Sequence, residues 1–451
     1  MARGRGFMPW LREWLGGTSP WVDPDFDDPW SDDPRAAPRC WGDCTVPFRN
    51  EAELAEIRRA CRALAAENEF AVNGHENRVS YVVGTGHRYR VVPRTAGIQA
   101  EAIGGADADR VAAQEVLDEF LDENRWHRRQ QEILRRYDRD GEVFLRFFAD
   151  GAGRLQVRFV EPEEVACPTD RRDPGATFGV QTDPRDVERV LGYWIGGRWV
   201  ESGAVQHRKA NVDVNIKRGL PLFYPVRKNL RRAEKLLRNM SVVAGVQSAV
   251  ALIRKHSRAS RAAVERFAAE TADDRPQAPG ALPRLVFAPG TVLDAAAGTE
   301  YEFPASAIDA ARYVTLLQAE LRAIASRLVM PEFMLTSDAS NANYASTLVA
   351  EGPAVRMFQR LQQEMIEDDL RVMRRALRAA ARAGRLPEDV LRRVTVEAVP
   401  PPLAVRDRLK EAQADEVLFR CGAMSRETLA LRHGLDPRRE SPSPDAWEAP
   451  A

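Results

Sequence analysis

The chain runs to 451 residues, too many for one compact core and enough for two to four structural units. Apolar residues make up 44% and charged residues 29%, the balance of a soluble protein with a sizeable interior. The 66 basic and 66 acidic residues cancel, which argues against a tight clamp on nucleic acid, and no run of about eighteen apolar residues offers a membrane span.

Met1-Ala2-Arg3-Gly4-Arg5 has no apolar stretch behind it, so no secretory signal is expected. Residues 1–49 interleave Trp10, Trp14, Trp21, Trp30 and Trp41 with prolines and an acidic run from Asp23 to Asp33. Such a segment builds no core of its own and reads as an arm whose tryptophans dock on a neighbour. The acidic run lacks the spacing and glycine of a calcium loop. Five cysteines, Cys40, Cys44, Cys61, Cys167 and Cys421, are scattered and odd in number, which fits reduced thiols and an intracellular assembly site. Cys40 and Cys44 have no second ligand pair at zinc spacing.

A helix is expected from Asn50, with Glu53 at the capping-box position and Leu54, Ile57, Cys61 and Leu64 on one face. Strands are expected at Val79–Val83 and Tyr89–Val92, joined by a turn through Gly84 and Gly86; without a third glycine or a following helix these two do not make a nucleotide loop. Helices follow at Ala108–Asn124, with Val111, Val116, Leu117, Phe120 and Leu121 inward, and at Arg128–Tyr137. Alternation then predicts strands at Glu142–Phe148, Leu155–Val160 and Val190–Ile195, with turns at Asp150-Gly151 and Gly196-Gly197.

Arg218-Gly219-Leu220-Pro221 punctuates the chain, and one long helix is expected from there to about Lys255. Its stripe of Val226, Leu230, Ala233, Leu237, Met240 and Ala244 steps by four and three, a heptad-like seam. The other face carries Arg227, Arg231, Lys235 and Arg238. A small insert follows at 259–304, with a helix near Ser260–Glu270 and strands at Arg284–Phe287 and Tyr301–Phe303. A second helix should run from Ser306, capped by Asp309, to Leu328, and stop at Met330-Pro331. The polar stretch Thr336–Asn343 precedes a long helix from Tyr344 to about Ala383. A strand at Val394–Ala398, a hinge at Pro400–Pro402 and two short helices complete the chain, the last capped by Ser425 and closed by Gly434.

Catalytic signatures are missing. There is no P-loop, no nucleophile elbow and no zinc-ligand pair. His207 lacks a nucleophile or orienting carboxylate nearby in sequence, so it reads as structural. Glu161, Glu163 and Glu164 sit in a turn with Pro162 and read as solvated rather than as a nuclease's metal ligands.

Taken in order, several stretches resemble the portal proteins of tailed phages, nearest the lambda-like branch. They are Val83-Gly84-Thr85-Gly86, Arg139-Asp140-Gly141-Glu142-Val143-Phe144-Leu145, Val160-Glu161-Pro162, Gly192-Tyr193-Trp194, Gln206-His207 ahead of Arg218-Gly219-Leu220-Pro221, Met330-Pro331, Asn343-Tyr344-Ala345-Ser346 and Gly422–Thr428. The resemblance implies an α+β portal-like fold and a ring of twelve subunits. After the arm at 1–49, residues 51–220 would be the wing, 221–258 and 305–329 the stem helices, and 259–304 the clip. Residues 330–343 would be the tunnel loop, 344–385 the long wing helix and 386–451 the crown.

The resemblance further implies a channel at a capsid vertex for DNA packaging, ejection and head–tail joining, assembled in a bacterial cytoplasm. The partners would be double-stranded DNA without sequence specificity, the large terminase motor, head-completion or tail adaptor proteins and the major capsid protein; no membrane, cofactor, metal or catalysis is implied. Thr336, Ser337, Asp338, Ser340 and Asn341 would face DNA. Val226, Leu230, Leu237 and Met240 would pack between subunits, and Arg227, Arg231, Lys235 and Arg238 would face the channel or an acidic neighbour. The rival readings are a metal-dependent DNA-processing enzyme, a scaffold without DNA, and a structural protein of a prophage or gene-transfer agent.

Overall fold

The computed structural model describes residues 46–94, 103–168, 175–255, 291–295, 310–338, 349–403 and 408–433, with the single residues 262, 340, 347 and 435. The chain divides into two compact units, Met1–Leu54 and Ala55–Ala451. In the first, the Asn50 side chain accepts from the Glu53 amide at 2.9 Å, which caps the first helix. Glu53 reaches back to the Arg49 amide at 2.7 Å, one residue earlier than a capping box requires.

The described helices are α1 (Glu51–Glu67), α2 (Glu69–Val82), α3 (Ile103–Glu123), α4 (Trp126–Asp140), α5 (Arg227–Ala249), α6 (Ala310–Leu328), α7 (Glu332–Thr336), α8 (Gly352–Arg382), α9 (Val390–Arg393), α10 (Arg408–Arg420) and α11 (Arg426–Arg432). The strands are β1 (Arg88–Pro93), β2 (Glu142–Ala149), β3 (Leu155–Val160), β4 (Ala176–Thr177), β5 (Val180–Asp183), β6 (Asp186–Ile195), β7 (Arg198–Glu201), β8 (Val205–Lys209), β9 (Val250–Lys255), β10 (Thr291–Ala295) and β11 (Val394–Val399). The mixed α+β class is therefore as the sequence implies.

One strand expectation and one helix expectation fail. Val79–Val83 is not a strand, because α2 carries the chain through Val82. Its Asn68 cap accepts from the Ala71 amide, and Ala71, Gly74, His75, Arg78, Val79 and Val82 fall on one buried helical face. That packing outweighs the β preference of a short valine-rich run. Deprived of that neighbour, β1 pairs antiparallel with β11, with Val91 opposite Val396. The expected long mid-chain helix also ends early, at Ala249. Residues Val250–Lys255 form β9 instead, which pairs in parallel with β10.

Strand order β3-β2-β8 makes one sheet and β4-β5-β6-β7 another. Phe144, Val160, Val165, Val180, Tyr193 and Ile195 form a smaller core linked to them. The main core draws on α2, α3, α4, α5, α6 and α8 together. Val116, Leu117 and Phe120 point into it, but Val111 does not and is exposed. A close backbone crossing fixes the Arg218–Pro221 segment: a Cβ on Gly219 would stand 1.8 Å from the Gly141 carbonyl oxygen, so only glycine fits. The expected elements at 260–270 (apart from Ala262), 284–287 and 301–303, the Ser306 cap and Gly434 lie outside the described residues. Among the described residues, no helix is long and apolar enough to cross a membrane.

Candidate functional site

Helices α5 and α6 pack as an antiparallel pair. Arg327 near the end of α6 donates to the Leu222 carbonyl before α5, while Glu320, two turns earlier, accepts from Asn229 and Arg232 at 2.8 and 2.9 Å. Near this base the heptad seam is filled from within the chain. Val226, Leu230 and Ala233 are buried in the same core as Leu317, Leu321 and Ile324. Two of the four residues expected to pack between subunits, Val226 and Leu230, thus have almost no surface left for a neighbour. Further along, Leu237 packs against that core but is only partly buried, Met240 is half-buried, and Val242, Val314 and Leu316 are exposed.

The basic face is not uniform. Arg227 stacks over the Tyr224 ring at 4.2 Å and donates to its carbonyl, so it is tied down at the base. Arg238 pairs with Glu234 at 3.0 Å on an exposed side. Arg231 is exposed and Lys235 half-exposed.

Beyond α6, Val329 takes a left-handed φ of 54° and ends the helix, with the Met330 amide donating to Ala325 O. The short α7 follows, so Thr336 is its last residue and not part of an open loop. Thr336 Oγ1 returns to Glu332 O and receives the Asp338 amide. Ser337, Asp338 and Ser340 are exposed, and the Ser340 amide caps Asp338 Oδ1 at 2.9 Å. Asn341 lies outside the described residues. Helix α2 holds α7 in place: Asn73 donates to the Met334 and Leu335 carbonyls, and Asn77 donates to Met334 O at 2.7 Å. Gly74 permits this approach, since a Cβ there would meet Leu328 Cδ1 at 2.5 Å.

Three buried carboxylates brace the body behind this pair. Glu142 receives Arg58 at 2.8 Å, Arg218 through two nitrogens, the Gly219 amide and His207 Nε2 at 3.0 Å. Asp138 takes a two-pronged bond from Arg78, 2.8 Å on each arm. Asp369 of α8 receives Arg208, Tyr89 and Gln130, joining β8, β1 and α4. Burial alone would raise the Glu142 pKa, but Arg218 and His207 outweigh it and hold the carboxyl far below the usual range. Burial lowers the His207 pKa despite Glu142, and its ring stacks on Phe144 at 4.0 Å.

The sequence placed no carboxylate near His207; the fold supplies one 65 residues away. The pair still lacks a nucleophile and an opening, for both side chains are buried. Glu161 and Glu163 are not simply solvated either. Arg136 holds Glu161 at 2.7 Å, and Arg62 holds Glu163 at 3.1 Å. Glu164 caps its own turn. Carboxylates neutralised by arginine do not gather a divalent cation, and no cluster of metal-ligating side chains occurs among the described residues. Cys61 is buried, which pushes its thiol up to about 12 and makes it unreactive.

The site thus consists of a helical pair whose distal seam is only partly covered, a braced α+β body and an exposed polar loop. The chain belongs to the lambda family of phage portal proteins, matched over residues 48–362. It is a portal protein of the virion and not an enzyme. No curated protein matches it. Among solved structures it is similar to a chain from the virion of a native gene transfer agent particle, at 15% identity and a TM-score of 0.45, covering 85% of this chain and 94% of that one. A chain of the neck of that native particle, computed with C12 symmetry, gives 13% identity, a TM-score of 0.40 and coverage of 86% and 95%. An HK97-family portal protein from Corynebacterium diphtheriae gives 13%, 0.30, and 78% and 95%.

Proposed function

We propose that this portal protein works as one subunit of a closed ring, twelve by family expectation, around a channel through which double-stranded DNA enters and leaves a capsid. The supporting observation is the seam of α5 and α6. At its base the chain covers the seam itself, yet toward the far end the cover thins: Leu237 and Met240 are only partly buried and Val314 is 42% exposed. Apolar surface on neighbouring turns of two long helices is stabilised by covering it, and a head-to-tail ring lets every copy cover the next.

In this reading α5 and α6 are the stem, residues 259–304 the clip and residues 330–343 the tunnel loop. The wing is 51–220 with the long helix of 344–385, and the crown is 386–451. Arg231, Lys235 and Arg238 face the channel or an acidic neighbour. Terminase, adaptor and major capsid proteins are the partners, and the arm at 1–49 docks on one of these or on a neighbouring subunit. DNA slides because an electrically balanced subunit makes few net phosphate contacts, and each such contact would add to the binding.

The test is Leu237→Asp with Val314→Asp, read by mass photometry and negative-stain imaging. The variant should fold with unchanged circular dichroism and fail to form rings, whereas the wild type forms rings with a central hole. Rings that persist in the variant, or a wild type that stays monomeric at high concentration, would overturn the proposal.

A further inference from the structure

The last three turns of α8 carry a basic ridge that the stem and tunnel loop do not use. From Leu370 to Pro387 the chain has six arginines and no acidic residue. Arg375 and Arg385 are occupied: Arg375 lies over the Phe147 ring at 4.3 Å and donates to Gly203 O, and Arg385 pairs with Glu119. Arg371, Arg374, Arg378 and Arg382 are exposed, opposite the buried positions Val372, Met373, Ala376, Leu377 and Ala380. Arg371 shares Asp368 at 3.1 Å. Among the described residues, Arg374, Arg378 and Arg382 have no carboxylate partner.

At about 100° per residue the four fall within an arc of about 80° and form a line about 16 Å long. The ridge stands apart from the contact of α8 with α2. Arg78 of α2 meets α8 at Met357, and Arg382 lies about 38 Å further along the helix at 1.5 Å per residue. Its end packs on the β2–β3 turn, where a Cβ on Gly153 would strike Ala383.

We propose that Arg371, Arg374, Arg378 and Arg382 form a second, sequence-independent contact surface for the phosphate backbone of duplex DNA, outside the channel. The choice of polyanion rests on the DNA-handling role proposed above. The chemistry of the ridge favours phosphate over an acidic protein. Apart from the arginines, only Ala379 and Ala383 come to the surface between Arg371 and Ala383, so this stretch of α8 offers no apolar or aromatic anchor of the kind that carries protein–protein affinity. A bare line of cations suits a duplex, which presents a negative charge about every 1.7 Å of its axis. Its contacts would position DNA without reading bases.

The experiment measures binding of the full-length protein to a fluorescent 30-base-pair duplex of random sequence across a salt series. Arg374→Gln/Arg378→Gln/Arg382→Gln should weaken binding at least tenfold at low salt. It should also make the slope of log K against log salt shallower by about 3, at about 0.9 per phosphate contact. Arg356→Gln/Arg360→Gln, on the first half of the same helix, should change neither. A triple variant that binds with wild-type affinity and slope overturns the inference, as does a wild type that prefers polyglutamate to the duplex at equal charge. Ring formation by the same samples is scored separately by mass photometry, so failure of the ring reading and failure of the ridge are distinct results.

Discussion

Arg218 and Glu142 lie 76 residues apart and meet in the interior, Nη2 to Oε1 at 2.7 Å, with 1% and 0% of their side chains exposed. The pair clamps the segment that leads into α5 onto β2. Arg218 also donates to the carbonyls of Pro162, Val165 and Phe178, so one guanidinium ties together four parts of the chain. The α5–α6 pair therefore starts from a fixed point.

Glu142→Gln removes the charge that offsets Arg58 and Arg218 while keeping the shape. Two buried guanidinium groups are then uncompensated, which should cost about 3–5 kcal/mol in chemical denaturation. Because the Glu142 pKa is depressed in the folded state, its stabilisation is present above the unfolded carboxylate value of about 4.3 and fades only as pH falls below that.

His75 should set a gentler loss at higher pH. Burial lowers its pKa; Asp138 and Glu76 oppose this, while Arg78 and Arg135 reinforce it. The ring Nε2 has no hydrogen-bond partner and meets Phe223 edge-on. The unfolded chain takes up this proton first, so stability is full above about pH 6.5 and declines as pH falls, by up to about 1.4 kcal/mol per pH unit. His75→Gln should flatten a melting-temperature profile between pH 7 and 5. An unchanged slope would assign the loss to the other buried histidines, His87 and His207.

Val329→Gly should stabilise the subunit. A β-branched residue at φ 54° carries about 1–3 kcal/mol of backbone strain, and Val329 is 39% exposed, so little packing is lost. After the extra chain entropy of glycine, a net gain of about 1 kcal/mol is expected as a raised melting temperature.

Asp338→Lys puts a cation on the exposed loop beyond α7, where the wild-type carboxylate is held by the Ser340 amide. Filled particles carrying this change should release DNA more slowly, with the difference shrinking at high salt. Unaltered packaging and release would remove Ser337–Ser340 from the channel.

Local pattern and tertiary choice separate cleanly along this chain. Turns at Asp150-Gly151 and Gly196-Gly197, the strands at Leu155–Val160 and Val190–Ile195 and the stop after Leu328 were legible because glycine, proline and side-chain alternation act over a few residues. Val79–Val83 was misread, since a short β-branched run does not record whether its neighbour is a strand or the core face of a helix. The Glu142–His207 contact was invisible because nothing local joins residues on separate strands.

The sequence by itself determined the α+β class, the heptad seam, the absence of catalytic motifs and, through ordered short motifs, the portal family. Only the tertiary structure decided which part of the seam the subunit covers for itself, that β1 pairs with β11, and that Arg374, Arg378 and Arg382 stay unpaired among the described residues while neighbouring arginines are taken. Periodicity states that a face is apolar or charged; what meets that face depends on elements brought together from distant parts of the chain, and burial and ion pairing are fixed at that step.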